Sequence, residues 1–126
     1  MHTLRIYTAQ MGKRFQLAKE GRAILDTTVK TGDRRLAPSW DFLVEYKSSP
    51  RGPADQARYR ELYLNKLKAM HHQTPDVLLD LLKRDEVILT CYCPAGQFCH
   101  RHILKEILTL LGSRTGVNVE DCGEII

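Results

Sequence analysis

Between residues 91 and 102 the chain concentrates three cysteines, two histidines and an arginine, in the segment CYCPAGQFCHRH. Thiolates are nucleophiles and soft metal ligands, imidazoles move protons, and a guanidinium holds anions. Three chemistries compete for this stretch. The first is binding of a nucleotide-like or other phosphorylated small molecule. Gly96 permits close backbone approach. The amides from Gly96 through Gln97 to Cys99 lie at the start of a helix, where N–H groups are unpaired and the dipole favours negative charge. Arg101 is then the charge partner and His100 or His102 a hydrogen-bond donor, while the cysteines are small buried groups that shape the pocket.

The second chemistry is thiol catalysis by Cys93 or Cys99, with His100 beside them, on a phosphoester or a glycosidic carbon. The turn Cys93-Pro94-Ala95-Gly96 resembles the C-x-x-G loop of tyrosine phosphatases and rhodaneses, where an amide nest lowers the cysteine pKa. The likeness is partial. The phosphatase pattern requires arginine at the sixth residue after the nucleophile; here that residue is Cys99, and Arg101 follows two positions later. The third chemistry is zinc, for which Cys91, Cys93, Cys99 and His100 are four suitable donors. Its spacing is unfavourable. Cys91 and Cys93 share a face only if a strand stays regular through Tyr92, and adjacent Cys99 and His100 diverge by about 100° around a helix. No residue is therefore assigned to a metal, and no cofactor is expected. A module that works only through a protein partner is a further, weaker alternative.

The flanking sequence shows what must position this stretch. Val87-Ile88-Leu89 is a short β-branched run suited to a strand buried on both faces, at about 86 to 92. Pro94 and Gly96 break it. Ile103, Leu104, Ile107, Leu108 and Leu111 then recur at helical spacing, predicting a helix from about Cys99 to Leu111. Upstream, strands are expected at about 4 to 8 and 23 to 29, with a short helix around Arg14 to Glu20. A further helix starts at Pro38-Ser39-Trp40 with Ser39 as its cap. A loop over 48 to 53 precedes a helix from 54 to about 71. Thr74-Pro75 opens another helix to about Lys83, and Val117 to Val119 is a last short strand followed by a tail. Strands alternating with helices predict one α/β domain over residues 1–126, its parallel sheet covered on both sides.

The same pass yields further ligand candidates. Asp26 stands near the carboxyl end of the second strand, where it either accepts from a ribose or base in the ligand crevice or simply caps the loop that follows. Thr28 lies in the same segment. Lys30 and Arg34 are placed to close over an anion, although adjacent Arg34 and Arg35 equally suit a solvated surface. Trp40, the only tryptophan, suits core packing first and stacking on a planar ligand second.

Composition narrows the partner class. Lys plus Arg exceeds Asp plus Glu by 19 − 15 = 4, and the pI is about 9.0. That balance admits a phosphate-bearing ligand. Nucleic acid is not favoured, since no dense basic block or aromatic-basic repeat is present. No apolar run approaches the ~20 residues of a membrane span, and the first residues lack the apolar core of a signal peptide. A soluble, cytoplasmic protein with reduced cysteines is the expectation. The sequence leaves the oligomeric state open.

With those residues in view, the chain resembles the family called domain of unknown function 488. The shared features are the hydrophobic strand and cysteine loop, Val87 to Cys93, and the Cys99-His100-Arg101 triplet opening a helix. An early strand ending in Asp26, followed by a loop and the Pro38-Ser39-Trp40 helix start, is a second. The likeness covers most of the chain and is nearest to short single-domain members from phages and bacteria. It implies a Rossmann-like fold, a small mainly parallel sheet flanked by helices, with Asp26 and the Cys-His-Arg segment near one crevice. In a viral protein, sequestering a signal nucleotide would be as natural as turning it over.

Overall fold

The computed structural model describes residues 2–126. Its centre is β3 (Glu86–Cys91), buried from Val87 to Cys91, which is why that run carries no polar alternation. β3 pairs in parallel with β1 (Thr3–Gln10) on one side and with β2 (Ile24–Asp26) on the other. β4 (Asn118–Ile125) adds in parallel to the far edge of β1, giving the order β2-β3-β1-β4. The carboxyl ends of all four strands therefore open at one edge of a small α/β Rossmann-like sheet.

Alternation sorts the strand side chains onto two unequal faces. Leu4, Ile6, Val87 and Leu89 point to the main core, where they meet Tyr59, Tyr63 and Leu67 of α3 (Pro53–Gln73). The same core receives Phe42 of α2 (Trp40–Lys47), Leu78, Leu81 and Leu82 of α4 (Asp76–Leu82), and Ile103, Leu104 and Leu108 of α5 (His100–Thr115). Ala9 and Ile88 point the other way and pack on Leu17 of α1 (Arg14–Lys19). The expected coverage of both sides is thus lopsided, with a single short helix packed in the smaller cluster.

Two strand boundaries differ from the sequence expectation. β2 stops at Asp26 because the residues after it turn to bond the Asp26 carboxylate. β4 runs to Ile125 rather than ending near Val119, and most of it is exposed or half-buried. An edge strand that faces water on one side has no apolar run to reveal it. β4 also carries a bulge: Ile6 aligns with Asp121 but Thr8 with Glu124, and Gly123 adopts φ 80°. One extra residue reverses which face the following side chains meet. The bulge turns Glu124 onto the face of Thr8, whose hydroxyl donates to Glu124 Oε1 at 2.5 Å.

α5 sits close against the start of β4. A Cβ on Gly112 would stand 2.5 Å from Val119 Cγ2 and 3.0 Å from the Val117 carbonyl oxygen. Gly112→Ala is expected to cost about 1–3 kcal/mol through this overpacking, read as a lower denaturant midpoint at unchanged slope. An unchanged midpoint would mean that helix and strand are not so tightly seated.

Candidate functional site

At the carboxyl edge of the sheet, a cleft of about 670 Å³ opens between α2, the start of α3 and the Cys91–His100 segment. Such crevices are where open α/β sheets hold ligands. Trp40, Tyr46, Tyr59, Tyr92 and Phe98 supply aromatic surface to it. Phe98 lies 5.5 Å from both Tyr46 and Tyr59, ring centre to ring centre, so the inner part of that wall is interlocked. Lys30, Lys47 and Arg51 add positive charge, and Cys91, Cys93, Cys99 and His100 also line the space.

Arg101 is not in the cleft. The sequence placed it as the ligand's charge partner, but its side chain is fully buried. Nη1 donates to Cys91 Sγ at 2.7 Å and to the Cys93 carbonyl at 2.9 Å. Nη2 reaches the Pro94 carbonyl at 3.5 Å and Glu124 Oε2 at 2.9 Å, and Nε reaches Glu124 Oε1 at 3.2 Å. A buried charge must be paired and hydrogen-bonded, and these partners use it up. Arg101 therefore shapes the loop from behind and is a positioning residue.

The three thiols converge. Cys91 ends β3, Cys93 lies in the loop and Cys99 is the N-cap of α5, yet their sulfurs all lie within 4.8 Å of one another. All are free. Cys93, the least buried, is pushed below the ordinary thiol pKa, chiefly by the neighbouring Cys91 and Cys99 thiols. The Cys91 thiol is pushed up chiefly by Cys93, and the Cys99 thiol chiefly by Cys91 and then Cys93. Crowding of the three sulfurs, with the Arg101 guanidinium on Cys91 Sγ, favours a single negative charge on the trio as a whole.

His100 is locked beside it. Its Nε2 lies 2.9 Å from the Thr27 carbonyl and 3.0 Å from Thr27 Oγ1. A carbonyl only accepts, so Nε2 carries the proton and Nδ1 presents its lone pair. Nδ1 faces Cys99 Sγ at 3.5 Å. Tyr63 packs edge-on against the ring at 5.6 Å. Burial pulls the imidazole down to about 4, so it is neutral at neutral pH.

The remaining candidates separate. Asp26 caps its own loop: Oδ1 accepts from the Thr28 amide at 2.9 Å and its hydroxyl at 2.7 Å, and Oδ2 from Thr31 Oγ1 at 2.5 Å. Burial opposes its charge, but the Thr31 and Thr28 bonds outweigh it and lower the pKa. Of the two readings of Asp26, capping is the one built. Thr28, Lys30 and Gln97 line the cleft. Arg34 is exposed and lies outside it, its carbonyl accepting from Lys66 Nζ. Gly96 sits at an open turn with φ 82°, a backbone conformation that by itself requires glycine. The Gln97 amide donates to the Pro94 carbonyl at 3.3 Å, closing that turn and removing one donor from the expected amide cradle. Trp40 is 56 % exposed on the cleft wall, not in the core. Lys47, Arg51, Tyr46 and Tyr59 were missed as site residues. The tyrosines fall in expected helices with nothing to mark them as ligand contacts, and nothing local aims the two cations at a loop some forty residues away.

A buried neutral histidine has a stability signature. His100 titrates near 6.5 when unfolded and near 4 when folded, so between those values the unfolded chain binds more protons. Stability is expected to fall as pH drops from about 6.5 toward 4, by up to about 3 kcal/mol from this residue. Burial lowers His102 as well, so His100→Gln isolates the larger share. Urea unfolding of both proteins at pH 4.5 and 7, in metal-free buffer, checks this; equal pH losses would refute it.

Comparison with known proteins places the chain at the level of family. Residues 4–112 match the family DUF488-N3a, described as the active DUF488-N3 subclade. No curated protein and no solved structure matches significantly. The matched span includes β1 through most of α5, with the thiol trio and His100, and stops short of β4 and Glu124. Among the described residues no helix is long and apolar enough to cross a membrane. The chain belongs to the DUF488 family.

Proposed function

We propose that the protein binds a nucleotide-like or otherwise phosphorylated small molecule in the cleft above the thiol trio. One observation carries this reading: an aromatic wall stands beside three cations, Lys30, Lys47 and Arg51, around a single small-molecule-sized space. Among the described residues none of the three forms a salt bridge. Exposed Trp40 and Tyr92 suit stacking on a planar base. The cations suit the phosphates, and mostly apolar walls with a few convergent polar groups are the usual make-up of a ligand site. The charge partners are thus these rim residues and not Arg101. Binding alone would serve to sequester a signal nucleotide; binding followed by turnover would be the first step of a reaction.

The test is calorimetric titration with nucleoside mono-, di- and triphosphates. Saturable binding is expected for at least one. The Lys47→Ala/Arg51→Ala double variant should bind it about 10- to 100-fold more weakly, each lost charged contact being worth about 1–2 kcal/mol after solvent screening. No saturable binding, or an undiminished affinity in the double variant, would reject the reading.

A second reading, a cysteine-dependent enzyme acting on a phosphoester or glycosidic carbon, is favoured by the Cys99–His100 contact. The imidazole lone pair faces a thiol at the cleft floor, the geometry of a base beside a nucleophile. The family description of its subclade as active is in keeping with it. Here Cys93, Cys99 and His100 are the reacting groups. Iodoacetamide labelling read by peptide mass should then find one trio cysteine alkylated at least tenfold faster than Cys122, and slowed by His100→Gln. Uniform slow labelling would sink this reading and leave binding alone.

A further inference from the structure

We infer that Cys91, Cys93 and Cys99 form a three-thiolate zinc site whose fourth coordination position opens into the cleft. The site goes beyond the ligand reading and does not rest on it. Three sulfurs brought from a strand end, a loop and a helix cap lie within 4.8 Å of one another. Zinc bound at ~2.3 Å to each sulfur of a tetrahedron sets neighbouring sulfurs ~3.8 Å apart. The trio is therefore within about an ångström of a coordination triangle, a gap that χ1 rotation closes.

The sequence-level objection to zinc dissolves in the fold. It required the strand to continue regularly past Tyr92, but β3 ends at Cys91 and the chain bends, which returns Cys93 to the side of Cys91. His100, the fourth ligand considered from sequence, is bonded to Thr27 and lies outside the cluster. Its place is left to the cleft, which all three cysteines line. Three protein ligands with one open position is the layout of reactive rather than purely structural zinc.

An independent observation supports the metal. Arg101, fully buried, donates to Cys91 Sγ at 2.7 Å and to the Cys93 carbonyl, and is itself fixed by Glu124. A charged donor on a ligand sulfur, backed by a carboxylate, is how metal sites stabilise thiolates and fix their direction. The all-sulfur donor set selects a thiophilic ion over magnesium or calcium. As each Zn–S bond forms, any proton on that thiol passes to buffer, so binding tightens as pH rises.

The test uses the reduced full-length chain, stripped with chelator and titrated with zinc alone or cobalt(II) alone, with no nucleotide present. Native mass spectrometry should find one zinc per chain. The cobalt form should show sulfur-to-cobalt charge-transfer and tetrahedral ligand-field bands that zinc abolishes. Cys93→Ser, in a half-exposed loop and checked for folding by circular dichroism, should bind at least 100-fold more weakly. Arg101→Lys should weaken binding by about 10- to 100-fold, and Cys122→Ser should not alter it. Absence of stoichiometric zinc, a cobalt spectrum without the sulfur band, or full binding by Cys93→Ser would overturn the assignment. Failure of nucleotide titration would leave these outcomes untouched.

Discussion

The site depends on one buried guanidinium. Arg101 has five N–H donors and no solvent to accept from them. It meets five acceptors instead: both oxygens of Glu124, one thiol sulfur and two loop carbonyls. Removing a partner from a desolvated charge typically costs about 3–5 kcal/mol. That cost ties the 92–97 loop, the end of β3 and the edge strand β4 to a single geometry. The thiols occupy their places because the arginine behind them has nowhere else to bond.

In front of that anchor the cleft has two chemical layers. Sulfur and a neutral imidazole form one side, where His100 is kept neutral by burial and aimed by the Thr27 carbonyl. Aromatic rings and exposed cations form the other. In the first layer His100 packs edge-on against Tyr63 of α3. The second draws on α2, α3 and the loops beside them, its inner rings interlocked and Trp40, Tyr92 and the cations exposed.

Much of the scaffold was legible in the sequence because its signals are local. The Val87–Leu89 run and the α5 stripe are direct readings of burial periodicity. What was not legible depends on partners far along the chain. Arg101 reads as a ligand-binding cation until Glu124, 23 residues on, is seen to face it. Glu124 itself gives no signal, since its direction is set by a bulge in a polar edge strand. Trp40 reads as core because tryptophan usually is, and only the arrangement of α2 exposes it. Asp26 was ambiguous for a different reason: its two candidate roles use the same oxygens, and the competing donors, Thr28 and Thr31, lie in a loop whose closure sequence alone does not specify.

The parallel pairing of β1 with β4 joins residues some 115 positions apart. Such contacts form late, because a long loop must close before any of its bonds can compensate the lost entropy. Until β4 docks, Arg101 has no carboxylate and the cysteine loop has no fixed frame. The site is therefore assembled at the end of folding rather than built into its nucleus. During that interval three neighbouring thiols are unsheltered, making this the stretch of the chain most open to mispaired disulfides when the protein is refolded in air.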